Sequence, residues 1–584
     1  MRFVLALVTF VVAAALIALG VAERTVLRPA DHVTLSASAP KDVRYVVVPG
    51  SVLTAHPGVQ RVHLAGGSTA FAAYGRTSDV TAWLSGQRYA VARVAADGTP
   101  LPAVVRTAPV VAGLTGGHPD PNGSDLWLDQ ARASRSLDWS VNVPDSVSLL
   151  VAADGTAPAP AAQVRWSMRV STPWATPMIV TGSVLALLGL LLYIWALVHL
   201  RRRRGPRRKP PQRMPKPPAP PKYRPTRQPA VVASKGRRSV RNFSVLLAGG
   251  AASAVLLTGC QGAVAAAPAP TTTVDPASVV APVAVTEEQG TRIVARAAAV
   301  EQRADASLSK STLSERFGGA ALDLRAAAYS IHKGDKKQAL PQQIPTAFSM
   351  RLILPEATRA WPRTLFAVVS DPADAKAAPL ALTLEQQTPR DPYRVEYAQE
   401  LLKPAGSASD LPKLPSAVLG AARLKPDTQL LSVPPGQLAA DYGLLLQQSD
   451  APVGKAFDTA ADPLLKAAGQ AAKAAVKKGL GSTAKVAFSD GTTDPASVVA
   501  LVTADSGALV SVQLQETWKV TPTKSDVKVK PSGATRILAG TGSTTKGISS
   551  TYGYQLLFSV PPAGSKERIE LLGYAQGLIS AKEL

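Results

Sequence analysis

Three long apolar runs interrupt an otherwise mixed pattern of hydrophobic and polar positions. The first, residues 3–21, follows Arg2 and is apolar almost throughout. At 1.5 Å per residue its length suits a thin spanning helix. Gly20-Val21-Ala22 also offers the small residues of a cleavable signal, but the weak basic flank and long apolar core favour a retained anchor. The second run, residues 177–200, has Trp174, Tyr193 and Trp195 toward its ends and four arginines, 201–204, directly behind. Aromatic rings favour the membrane interface and Lys/Arg blocks resist translocation, so this helix is expected to run from outside to inside. The third, residues 243–259, follows Arg237, Arg238 and Arg241 and ends in Leu257-Thr258-Gly259-Cys260.

Between and after these runs the period changes. Across residues 23–172 short segments rich in Val, Thr and Tyr predict strands at 43–48, 59–64, 89–94, 103–111, 137–141, 147–152 and 164–170. Gly66-Gly67, Asp97-Gly98, Pro121-Asn122-Gly123 and Asp154-Gly155 punctuate them as turns. Many short strands with frequent turns predict a β-rich, sandwich-like exported domain. From Thr286 onward helical spacing comes first and strands follow, twice. Helices are expected at 286–306 and 311–331, then strands at 347–354, 364–370, 380–385 and 393–401. The order restarts with helices at 437–448 and 453–478, then strands at 498–503, 508–514, 555–560 and 569–572. Helices segregated from an antiparallel sheet mean α+β. The expectation is two tandem helix-plus-curved-sheet halves, 286–420 and 421–584, of the nuclear-transport-factor or cystatin kind.

Charge changes this picture in one place. The net charge of +24 over 584 residues suggests nucleic acid at first, yet residues 201–241 hold sixteen Lys or Arg and no Asp or Glu. A block of this kind beside apolar helices marks the cytoplasmic side, and its surface partner is anionic membrane lipid, not nucleic acid. Within it, residues 205–236 are Pro-rich and form a basic cytoplasmic linker that cannot bury a core. Residues 260–285, rich in Ala, Pro and Thr, read as a disordered tether.

Cys260 is the only cysteine, so no intrachain disulfide can form. It ends a segment with a positive flank, an apolar core and small residues at the cut. Leu257-Thr258-Gly259-Cys260 therefore resembles a bacterial lipobox, which implies lipidation of the Cys260 thiol and cleavage before it. The other reading of 243–259 is a third transmembrane helix beside an inert, buried Cys.

Candidate chemistry is thin. Ser38–Lys41, Ser307–Lys310 and Ser482–Lys485 have the Ser-x-x-Lys spacing that places an amine one helical turn from a hydroxyl, and Ser489-Asp490-Gly491 mimics part of a second motif. No Lys-Thr-Gly follows. Residues 540–547 look like a phosphate loop, but Lys546 precedes Gly547 and strand-like residues come next, so a hairpin loop is expected. The six histidines (32, 56, 63, 118, 199 and 332) have no metal-ligand spacing, and no cofactor or metal site is read. Neither Asp-x-Asp nor Gly-x-Ser-x-Gly occurs.

Trp361-Pro362-Arg363-Thr364, Gly507-Ala508-Leu509-Val510, Val560-Pro561-Pro562-Ala563-Gly564-Ser565 and Leu572-Gly573 resemble an actinobacterial family of membrane-anchored envelope proteins of unknown function. The resemblance covers 286–584. It implies N-terminal membrane helices with an exported domain and carries no catalytic residues, although members often bear a glycosyltransferase label. The expected protein is a multi-domain membrane protein of the plasma membrane, with 23–172 and 260–584 extracytoplasmic. Its expected role is non-catalytic, binding or scaffolding wall polymer or other envelope proteins. The alternative is a glycosyltransferase acting on envelope glycans, which would need a polar pocket with paired carboxylates.

Overall fold

The computed structural model describes residues 2–27, 30–114, 116–168, 172–202, 281–402, 412–460, 462–490 and 495–584. The predicted linker, the 243–259 run and Cys260 lie outside the described residues, apart from Arg201 and Arg202. Two compact units are present: one contains the two apolar helices, the other residues 29–170 together with 275–584.

The first half reads α1 (Arg2–Thr25), β1 (His32–Ala37), β2 (Tyr45–Val48), α2 (Gly50–Leu53), β3 (Gln60–Arg76), α3 (Thr77–Trp83), β4 (Arg88–Val94), β5 (Pro100–Thr107), β6 (Asp129–Val141), β7 (Val147–Ala152), β8 (Ala161–Ser167) and α4 (Ala175–Arg202). Helices α1 and α4 are both long and apolar enough to cross a membrane. They pair as a hairpin through a seam of small residues. On α1 the buried positions are Ala6, Ala13 and Gly20; on α4 they are Ala175, Gly182, Gly189 and Ala196. Each lies seven residues from the next, the repeat that keeps one seam facing a partner helix. Small residues let helix backbones approach where no hydrophobic drive exists between helices. Gly20 lies against Ile179, Gly182 against Ile17 and Gly189 against the Phe10 ring, so the helices run antiparallel. Leu7, Val11, Leu187 and Leu191 are exposed on the remaining apolar surface.

Residues 29–170 form one eight-stranded sheet in the order β1-β8-β3-β7-β2-β4-β5, with β6 added on β3. All neighbours are antiparallel except the β2–β4 pair. The two end strands, β1 and β5, approach each other, so the sheet curls around its core instead of splitting into the two facing layers expected of a sandwich. Leu35, Val46, Leu64, Ala72, Val151 and Trp166 fill the interior. Gly66 and Gly67 were expected to end a strand. They lie inside the 17-residue β3, at positive φ, where its pairing with β6 shifts register. Glycine there bends one long strand and does not turn the chain.

The second half reads α5 (Glu287–Ser307), α6 (Lys310–Leu313), α7 (Gly319–Gly334), β9 (Ser349–Pro355), β10 (Arg363–Ser370), β11 (Leu380–Gln386), β12 (Arg394–Leu401) and β13 (Arg423–Leu424). There follow α8 (Leu438–Gln447), α9 (Pro463–Ala468), α10 (Gln470–Leu480), β14 (Ala484–Asp490), β15 (Val499–Val502), β16 (Ala508–Pro522), α11 (Gly533–Ala539), β17 (Ile548–Val560) and β18 (Glu570–Glu583). A capping box between Thr286 and Gln289 starts α5. The helix expected over 311–331 is broken, because Gly318 is extended and Gly319 sits at φ +46°. The end of the expected tether is also ordered: Ala284 and Val285 are buried in the core, and Val283 bridges Ala357.

The helix-then-strands order does occur twice, but the strands make one sheet. Its order is β13-β15-β16-β17-β18-β12-β11-β10-β9, with β14 on β16. Two antiparallel four-strand meanders thus meet through their last strands, Glu400 opposite Tyr574 and Leu401 opposite Gly573. On either side of this seam four strands run in sequence order, β12 to β9 and β18 to β15, and β13 and β14 are added on the second side alone. α5 covers the first meander and α8 the second, while α7 lies over the seam where β12 meets β18.

Residues 29–170 and 275–584 pack through a polar, buried junction. The Asp125 carboxylate accepts from Arg296 Nη1 at 2.7 Å, from Arg316 Nη1 at 2.5 Å and from the Tyr393 backbone N–H at 2.9 Å. Asp79 accepts from Arg363 Nη2 at 2.8 Å. Gln289 donates to the Leu126 carbonyl, Arg292 to Trp127 and Leu128, and Arg390 to Trp83 and Ser85. Trp361 packs beside Trp83 and Trp127 in a shared apolar cluster.

Candidate functional site

An open groove of about 530 Å³ runs where α7 crosses β18 and β12. Its size is within the usual range for small-molecule pockets. Leu324, Ala328 and Ile331 occur at helical spacing on α7 and form one wall; Leu340, Leu402 and Leu578 extend the apolar lining. The floor is small by construction. A Cβ at Gly577 would lie 2.7 Å from Leu324 Cδ1, so a larger residue there requires the Leu324 side chain to shift. Gln338, Glu400, Tyr574 and Gln576 supply the polar groups, and among the described residues Glu400 is the one carboxylate in the lining. Burial, then the nearby Glu400 charge, pushes the Tyr574 phenol up.

A buried ionic cluster ties α7 to α5. Arg325 forks onto Asp305 at 2.8 and 2.6 Å, meets Glu301 at 2.6 Å and donates to the Gln342 carbonyl. Tyr329 donates to Asp305 at 2.5 Å, and Glu301 accepts from the Ile344 N–H at 2.8 Å. Burial pushes the Glu301 carboxyl up to about 7, while the Arg325 charge pulls the other way. For Arg325 burial acts downward, yet its hydrogen bonds to Asp305 and the two carboxylate charges leave it raised. These groups saturate one another and fix α5 to α7.

A second crevice, lined by Gly116, Gly117, His118, Arg390 and Asp391, opens at the junction of the two domains. Its side chains are already engaged: His118 Nδ1 pairs with Gln87 Oε1 at 2.8 Å, and Arg390 is bound to carbonyls.

Cys260, Leu257, Thr258 and Gly259 lie outside the described residues. None of the Ser-x-x-Lys pairs lies on one helical turn. Ser38 and Lys41 sit in a loop, and Ser307 ends α5 with its hydroxyl on the Arg303 carbonyl. Ser482 precedes β14, on which Lys485 lies. Residues 540–547 connect α11 to β17, so a helix and not a strand precedes this loop; Gly540 caps α11 in the left-handed region. The histidines are dispersed: His63 faces Asp138, His332 the Gln338 carbonyl and His56 the Gly98 carbonyl and Trp166 ring. Among the described residues no three His, Cys, Asp or Glu side chains converge as metal ligands. The groove itself escaped the sequence reading. Its one local signal is the pair of small residues Ala575 and Gly577 opposite the 324/328/331 stripe, and only the pairing of β12 with β18 brings its walls together.

The described residues thus define a two-domain body accompanied by a helical hairpin of membrane-spanning character. Residues 281–583, slightly more than half of the chain, match the model described as Domain of unknown function (DUF8094), and the chain belongs to that family. Neither a curated protein nor a solved structure matches it.

Proposed function

We propose that this is a non-catalytic, membrane-anchored protein of the actinobacterial cell envelope whose exported body binds or scaffolds wall polymer or a membrane complex through the groove under α7. The observation that carries this reading is the lining of that groove: a continuous apolar stripe with a polar rim and, among the described residues, a single carboxylate, Glu400. A sugar transferase would call for convergent carboxylates around a polar pocket; this lining suits a ligand with an apolar segment and a hydroxyl- or amide-bearing end. Connectivity supports one sidedness for the folded body: with α1 and α4 antiparallel, the chain that joins them would start and end on one face of a bilayer. Residues 275–584 belong to the same compact unit as 29–170 and would lie on that side with it. The basic 201–241 block marks the opposite, cytoplasmic side. The 243–259 run returns the chain, either as a third span or as a lipoprotein signal that leaves Cys260 lipidated.

Binding of a dansyl-labelled fatty acid to the full chain in detergent tests the groove. Wild type is expected to enhance and saturate the fluorescence, and Ala328→Trp, which fills the groove, to abolish the effect. Equal binding by the variant, or none by wild type with competing wall glycan also inert, removes the assignment.

A further inference from the structure

The junction between the two domains has the composition of an interface between separate chains. The ion pairs that cross it run one way, and Arg76 of the first domain crosses it only to the Ala284 carbonyl, at 2.9 Å. The carboxylates, Asp79 and Asp125, come from 29–170, and the guanidinium groups of Arg296, Arg316 and Arg363 come from 275–584. Every hydrogen bond that the Asp125 carboxylate accepts comes from the other domain, and its side chain is fully buried. Arg363 and Asp79 are buried to within 2% and 1% exposure. Separation would expose each half to the loss that follows when one partner of a buried pair is removed. The backbone is held as well: the segment 123–128 presents its carbonyls to Gln289, Arg292 and Arg296. None of these contacts uses residues 171–274, through which the chain continuity runs.

We infer that the DUF8094 domain carries a self-sufficient docking surface for residues 29–170, whose key is the buried Asp125 carboxylate, and that the two halves stay bound when the connection between them is cut. Proteolytic processing ahead of Cys260 would then yield a two-chain protein and would not release the C-terminal half. The surface discriminates by charge. A partner must present a carboxylate to the Arg296–Arg316 pair and a second to Arg363, as Asp125 and Asp79 do. Because the pairs are desolvated, salt weakens them far less than it weakens surface pairs.

The test uses the full chain with a protease site placed in the 205–236 segment and an affinity tag at the C-terminus. After folding and purification in detergent the chain is cut, and retention of the N-terminal half is followed on dilution. Wild type is expected to retain it at micromolar and lower concentrations, in 0.1 M and in 1 M salt. Asp125→Asn is expected to weaken retention by about 100-fold, in line with truncation of a buried charge pair. Arg296→Gln, at the more exposed edge of the same cluster, is expected to weaken it less. Melting of each uncut variant shows that it folds; should Asp125→Asn not fold, Arg296→Gln carries the comparison. Dissociation of cut wild type at micromolar concentration overturns the inference. So does retention by folded Asp125→Asn and Arg296→Gln indistinguishable from wild type.

Discussion

Gly182 lies so close to Ile17 that a Cβ at 182 would stand 2.7 Å from the isoleucine Cγ1 and 3.0 Å from the Ala13 carbonyl oxygen. That approach closes the α1–α4 hairpin. Overpacking at a tight contact typically costs about 1–3 kcal/mol. Gly182→Leu is therefore expected to loosen the hairpin and lower the melting temperature in detergent, whereas Val184→Leu, on the exposed face, leaves it unchanged. Equal melting for both would mean that the helices do not depend on this seam. Mass analysis of the N-terminal peptide is expected to find residues before Ala22 still attached.

Much of this hairpin was legible in the sequence as two apolar runs, because length and composition alone define a span. The seam was not, since Ala6, Ala13 and Gly20 become meaningful only beside Ala175, Gly182 and Gly189. The same limit applies elsewhere. Strands such as β10 and β11 stood out by their apolar residues, within a residue of their observed ends. Strand β14 and the second half of β3 did not, for one is amphipathic and alternating with charge and the other follows two glycines. The groove walls come from elements more than 200 positions apart, and neither Asp125 nor Arg316 differs locally from any exposed charge. Burial decides their roles, and burial is a property of the fold.

Arg325 pairs with both carboxylates, Glu301 and Asp305, that hold α5 to α7. Its replacement by Met leaves Glu301 buried without its cation, and breaking a buried pair in this way costs about 3–5 kcal/mol. Glu301→Gln keeps an acceptor for the Ile344 N–H and is expected to be far milder. Chemical denaturation of the two variants checks the order; a milder effect for Arg325→Met would contradict the cluster's role.

Glu396 gives the folded body a definite response to pH. Its carboxyl lies against Gly318 and Gly319 at the start of α7, where a Cβ on Gly318 would fall within 2.3 Å of Oε1. Burial, with the Glu385 charge adding to it and Arg394 opposing, pushes Glu396 up to about 7 from an ordinary 4.5. The folded chain holds this proton more tightly than the unfolded chain. The resulting stability is fully present below about 4.5 and is lost as pH rises through about 7. At 1.36 kcal/mol per pKa unit, the span is at most about 3 kcal/mol. Glu396→Gln is expected to flatten the change in stability between pH 5 and pH 8. An unaltered profile would show that Glu396 does not titrate there.

Gly577 sets the depth of the groove. Gly577→Ala places a methyl 2.7 Å from Leu324 Cδ1 and is expected to push the Leu324 side chain into the groove and weaken fatty-acid binding several-fold while the chain still folds. Gln576→Ala, on the exposed rim, is expected to change affinity little. The two dissociation constants, measured by fluorescence, decide whether the floor or the rim governs access.

The central claim is that both folded domains occupy the same outer face of a membrane. Single cysteines introduced into a Cys260→Ser chain report this directly: Lys41→Cys on the first domain, Lys566→Cys on the second and Gln212→Cys in the basic linker. With a membrane-impermeant maleimide on intact spheroplasts, positions 41 and 566 are expected to label before lysis and position 212 only after it. Labelling of position 566 only after lysis, with position 41 labelled before, would contradict the account.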